Sequence, residues 1–151
     1  MSVPETWFET SVRGVPTFVT PAPPASADVI VHAGSLVDSP EDLAHWKEDR
    51  ARVDLPAGSI VTTLGTLAIE TRDEWPVEVT RRRCTDEMGA LLEHRIVAYY
   101  RFLHHVGVVL VRAREERALT THRSAIDEIV RSARPDFRDE SIIALSELWQ
   151  L

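Results

Sequence analysis

Cysteine occurs once in the 151 residues, at Cys84, so an intrachain disulfide framework and a cysteine-rich zinc site are both excluded. A reducing compartment fits this usage best. Long apolar runs are missing too: the longest hold only a few residues, far short of the roughly 20 that a membrane-spanning helix needs. The opening MSVPETWFET has no basic stretch leading into an apolar one, so no signal peptide is expected and a cytoplasmic protein is. Phosphate loops, Gly-x-Gly-x-x-Gly turns and a Gly-x-Ser-x-Gly elbow around Ser59, Ser124 or Ser132 are absent. Positive charge is also in deficit, with 17 Lys and Arg against 24 Asp and Glu and a formal net charge of −7. The summed field repels phosphate backbones, so neither a nucleic acid nor an anionic membrane is an expected partner. Lys47 is the sole lysine. The run Arg81-Arg82-Arg83 has no interleaved aromatics and reads as a solvated strand end or turn.

What is present is an ordinary globular composition, 44% hydrophobic and 27% charged with four tryptophans, in a length that suits one domain with a sizeable core. Pro4, Gly14 and Pro16 break the first twenty residues into an opening turn and one short strand. PAPPASAD at 21–28 is a surface loop, and VIVHAG after it a short strand. The clearest helix signal follows. Ser39 stands at the N-cap position, Pro40 at the first helical position and Glu41 and Asp42 in the first turn. Leu43, Trp46, Arg50 and Val53 recur at helical spacing until Pro56 and Gly58.

The middle of the chain is strand-rich. SIVTTLGTLAIETR is β-branched with Gly65 as a bulge or turn, and WPVEVTRRR alternates in period two. CTDEMGALLEH carries Asp86 and Gly89 for a connection. RIVAYYRFL places Ile96, Ala98, Tyr100 and Phe102 on one face and Val97, Tyr99, Arg101 and Leu103 on the other. VGVVLVRARE continues after HHVG, which makes the two segments a hairpin. LTTHRSAIDEIVRSARP is a helix opening on threonine caps, with Ala125, Ile126, Ile129, Val130 and Ala133 on one side until Pro135. The final DFRDESIIALSELWQL starts at the cap Asp139 and presents Ile142, Leu145, Leu148 and Trp149.

This order, with local phrases, resembles the PsbP/DcrB-like superfamily, which includes DcrB, the LpqN-type lipoproteins and the Eag chaperones of type VI secretion effectors. The phrases are VPETWFE, ADVIVHAGSLVDSPEDLAHW, and VGVVLVRARE followed by AIDEIVRSARPDF, spanning about residues 3–137. The chain departs in reading RSARPDF where a phenylalanine usually follows the serine directly, and in continuing past the core. The resemblance implies an α+β fold: an α/β/α sandwich on a mainly antiparallel sheet at 1–137, with a helical extension of the same domain at 138–151. It also implies a bacterial, secretion-associated adaptor like the Eag chaperones, which shield hydrophobic segments of secreted effectors.

Six histidines lack the His-x₃-His spacing of a zinc site. His104 and His105 are adjacent, so on a strand they point to opposite faces. With a turn centred at 104–106, His94 falls opposite Glu115 and Glu116, an ordinary cross-strand pair. Asp73, Glu74, Glu78, Asp86 and Glu87 fall in turns and exposed strand positions. No catalytic, cofactor or metal residue is therefore assigned. Apolar side chains on both faces of the hairpin require either helices over both or a protein partner, another protein or a second copy of the chain. The candidate partner-binding residues are Tyr99, Phe102, Leu103, Ile142, Leu148 and Trp149. The expected function is non-catalytic binding of an adaptor or chaperone kind. The alternatives are an immunity-type inhibitor of a toxin, whose acidic charge would suit a basic active site, and a small enzyme using His94 or His104.

Overall fold

A computed structural model of the protein describes residues 1–12, 15–19, 29–34 and 36–134. The chain runs β1 (Phe8–Val12), β2 (Val15–Val19), β3 (Ile30–Ala33), β4 (Val37–Asp38), α1 (Leu43–Ala51), β5 (Ile60–Glu70), β6 (Pro76–Thr85), β7 (Leu91–Phe102), β8 (His105–Ala113), α2 (Glu116–Thr121) and α3 (Arg123–Ser132). The strands form one antiparallel sheet in the order β1-β2-β3-β8-β7-β6-β5, with β4 pairing the end of β8. The antiparallel α+β expectation is met. The opening segment holds two strands rather than one.

Long β-branched strands and tight turns make the meander from β5 to β8. Asp86 builds the β6–β7 turn by accepting hydrogen bonds at one carboxylate oxygen from the backbone N–H of Met88 and Ala90, both at 2.9 Å, an Asx-type closure. The β7–β8 turn is only Leu103 and His104, because Phe102 pairs His105. Leu103 takes the left-handed conformation that such a turn demands, with φ 55°. This register places His94 opposite Ala113, two and three residues short of the expected Glu115 and Glu116. The Arg81–Arg83 run is also not a strand end or turn. It lies inside β6, with Arg82 buried and ion-paired to Glu48 on α1 at 2.9 Å.

Helix α1 starts later than its sequence signal indicates. The N–H of Ser39 bonds the carbonyl of His104 at 2.9 Å, which holds residues 37–39 against the hairpin end. Asp42 is the cap instead, its side chain accepting from the N–H of His45 at 3.0 Å. The C-terminal helical stretch is likewise two helices, α2 and α3, meeting at His122. Thr120 and Thr121 end the first instead of capping the second.

The sheet buries a different layer on each face. On one side α2 and α3 cover Val31, Val77, Ala98, Tyr100, Val109 and Val111, with Trp7 sealing the end against His122. On the other, α1 lies over Val97, Tyr99 and Leu110 through Ala51 and Trp46. Adjacent Tyr99 and Tyr100 point to opposite faces. Their hydroxyls donate at 2.8 Å to the carbonyls of Lys47 on α1 and Val130 on α3 respectively.

Candidate functional site

The strongest electrostatic feature lies beneath α1. Glu93 and Arg95 are two apart on β7 and so share a face. Arg112 on β8 sits opposite Arg95. Arg95 is fully buried and donates to the carbonyl of Ala51 at 2.9 Å and to Glu93 at 3.0 Å. Arg112 grips the same carboxylate with Nε at 2.8 Å and Nη2 at 3.0 Å, the bidentate geometry that makes such pairs strong. Burial alone would raise the Glu93 pKa, but the hydrogen bond from Arg112 and the charge of Arg95 together hold the carboxyl below its usual range.

A polar hollow of about 300 Å³ opens beside this cluster, lined by Asp54, Leu55, Pro56, Glu93, Arg112 and Arg114. The chemistry its groups can do is limited. Glu93 is held ionised between two guanidinium groups, which makes it a weak proton acceptor. Burial pushes the Cys84 thiol up, away from the thiolate form a nucleophile needs. Burial first, then the charge of Arg112, lowers the His32 pKa. The cluster joins β7, β8 and the end of α1, which is a structural role.

A second feature lies on the opposite face, at the β5–β6 end of the sheet, along the outer flank of α3. There Leu67, Ile69, Val79 and Ile96 meet Ile126 and Val130 of α3 around an apolar cleft of about 160 Å³. Leu67 is 61% exposed, and Leu64 further along β5 is about half exposed. A third hollow, of about 230 Å³, lies between α1 and the sheet around Leu43, Trp46, Pro76 and Glu78. Glu78 bridges its rim to Lys47 at 3.1 Å.

The candidate binding residues are scattered by the fold. Tyr99 is buried under α1 and Phe102 in the main core, where it stacks on Tyr100 and meets the edge of Trp75. Both faces of the hairpin are thus covered by the chain's own helices. Leu103 alone stands out, 71% exposed at the turn. Ile142, Leu148 and Trp149 lie outside the described residues. His104 occupies the turn and His105 begins β8, its Nε2 3.0 Å from the exposed Asp38. Among the described residues no group of three His, Cys, Asp or Glu side chains could hold a metal, and no helix is long and apolar enough to cross a membrane.

Sequence reasoning missed both main features. Glu93 and Arg95 did carry a signal: two charges spaced for one face of a strand that is otherwise apolar. Leu67 and Val79 carried none, because alternation marks a face as apolar without saying whether a helix covers it.

No family model and no curated protein sequence matches the chain. Solved structures do. The solution structure of cyanobacterial PsbP, CyanoP, from Synechocystis sp. PCC 6803 aligns with TM-score 0.58 at 13% identity, over 85% of this chain and 81% of that one. PA94, a Pseudomonas aeruginosa protein of unknown function, aligns with TM-score 0.55 at 12% identity, over 90% of both chains. The resemblance read from VPETWFE and VGVVLVRARE is therefore matched in three dimensions, and the chain has the PsbP-like fold.

Proposed function

We propose that the chain acts without catalysis, as an adaptor or chaperone-like protein that holds a hydrophobic segment of a secreted partner. One observation carries this reading: the β5–β6 ledge, where Leu67, Ile69, Val79 and Ile96 line an apolar cleft whose inner wall is α3. Leu67 stands exposed at the mouth of this cleft with the partly buried Ile69, Val79 and Ile96 behind it, and apolar surface left open beside a helix suits an interaction site. An apolar helix laid against the ledge would complete the layer that α2 and α3 begin. The rim supplies both signs of charge, Arg123 and Arg131 against Asp127, which suits a segment flanked by polar residues. The interior carboxylate of Glu93, gripped by both Arg95 and Arg112, offers little to a reaction.

A fluorescent peptide of about 20 leucines and alanines with lysine ends, the length of a hydrophobic span, tests this directly. Binding read by anisotropy should shift the methyl resonances of Leu67, Ile69, Val79 and Ile96 and should be lost in Val79→Asp. Methyl shifts confined to other residues, or equal affinity for the folded variant, would sink it.

A further inference from the structure

We infer that the outer edge of β5 is a self-pairing surface, through which two copies of the chain join their sheets antiparallel about a two-fold axis at Leu67. Among the described residues β5 pairs only β6, so its other side presents a row of backbone donors and acceptors with no strand against it. It has eleven residues. Proteins normally blunt such an edge with lysine, inward charge, proline, a bulge or a very short strand, and of these β5 carries only a bulge, confined to Thr63–Gly65. Here Ile60 to Ile69 contain no charged residue and no proline. The other end of the sheet differs: β1 has five residues and includes Glu9.

The register follows from the strand itself. A bulge between Thr63 and Gly65 interrupts the ladder, leaving Gly65 to Glu70 as the regular stretch. Centring the axis on Leu67 places Thr66 opposite Ala68 of the second copy, Gly65 opposite Ile69 and Leu64 opposite Glu70, so no like charges meet. A Cβ built on Gly65 would touch nothing within 4 Å, which leaves open space for the facing Ile69. The exposed Leu67 side chains meet across the axis. A chain of net charge −7 repels its own copy, and Ile60 to Ile69, with no charge of their own, add nothing to that repulsion. Pairing here would set the two β5–β6 ledges side by side, yet it requires no other protein.

Sedimentation of the full chain tests the inference. Wild type should be a dimer. Thr66→Lys with Ala68→Lys, both exposed and away from the ledge, should weaken it about tenfold or more by facing lysine with lysine. Thr66→Glu with Ala68→Lys should restore it, because the facing pairs then carry opposite charge. Leu67→Cys should cross-link to a covalent dimer on oxidation, since directly opposed Cα atoms lie about 4.5–5.5 Å apart. Met88→Cys, exposed on the β6–β7 turn, should not. A wild-type monomer at every concentration overturns the proposal, and slow hydrogen exchange along β5 in that monomer would mean that the chain's own residues cover the edge. A dimer that is indifferent to the lysine pair and fails to cross-link in the Leu67→Cys variant overturns it equally. Peptide binding to the ledge is read separately, so either idea can fail alone.

Discussion

The two faces of the sheet are stabilised by different physics. Under α2 and α3 the layer is apolar, from Trp7 and Val31 through Tyr100 to Ile129, and its stability derives from area removed from water. Under α1 the apolar patch shrinks to Ala51, Val97, Tyr99 and Leu110, and beside it lie Arg95, Glu93, Arg112 and Arg82. Apolar packing tolerates many arrangements, whereas a guanidinium bonded to one carbonyl and one carboxylate tolerates few. The ionic face therefore fixes where α1 sits, and the apolar face supplies most of the free energy that keeps the domain folded.

The sharpest way to break this contrast is Arg95→Ala. The change strips a fully buried charge from Glu93 and from the Ala51 carbonyl, and should cost about 3–5 kcal/mol in urea unfolding. Replacing Glu93 and Arg95 together by apolar residues of similar size should recover part of that loss. Ile129→Ala, at a fully buried position of α3, should cost about 2–5 kcal/mol through the cavity it leaves. Its effect should be nearly independent of pH, unlike that of the ionic face.

The neighbouring tyrosines make a smaller, internally controlled comparison. Tyr100→Phe orphans a buried carbonyl and should cost about 1–3 kcal/mol. Tyr99→Phe, at a part-buried bond, should cost about 1 kcal/mol. Burial raises both phenols, that of Tyr99 to about 12, so neither should ionise in an absorbance titration until the domain opens.

The smallest effect is graded acid sensitivity. His32 has a depressed pKa in the fold, so stability should begin to fall as pH drops below about 6.5, the unfolded histidine value. Glu93 is also depressed, so its contribution is complete above its unfolded pKa of about 4.5 and is lost as pH falls further. Thermal melts should fall in both windows, and Glu93→Gln should make the lower fall shallower.

Much of the fold could be read from local pattern, because the strands of the meander are long and each carries its own periodicity. Gly65 was legible as a bulge or turn, and a bulge is what β5 has there; Asp86 was legible as a turn, and the facing of Tyr99 and Tyr100 followed from period two. The failures came where a distant group intervened. The Ser39 amide is held by the hairpin end, so the cap moved to Asp42. The run of arginines looked solvated until α1 delivered Glu48 to Arg82. At the candidate site, the hairpin's apolar residues were legible, but their covers were not: Lys47 and Val130, which receive the two tyrosine hydroxyls, lie 52 and 30 residues away. Coverage is a property of the packed whole.

The pairing of β3 with β8 has a consequence in time. Val31 lies opposite Val111, so the strand that anchors β1 and β2 to the sheet has no neighbour there until about 80 more residues have been made. At roughly 5–20 residues per second that is a wait of about 4–16 seconds. The meander can begin to form in that interval, while the amino-terminal strands wait on the ribosome for β8. A chain stalled before residue 111 should therefore expose its first strands to protease, and one stalled well beyond it should protect them.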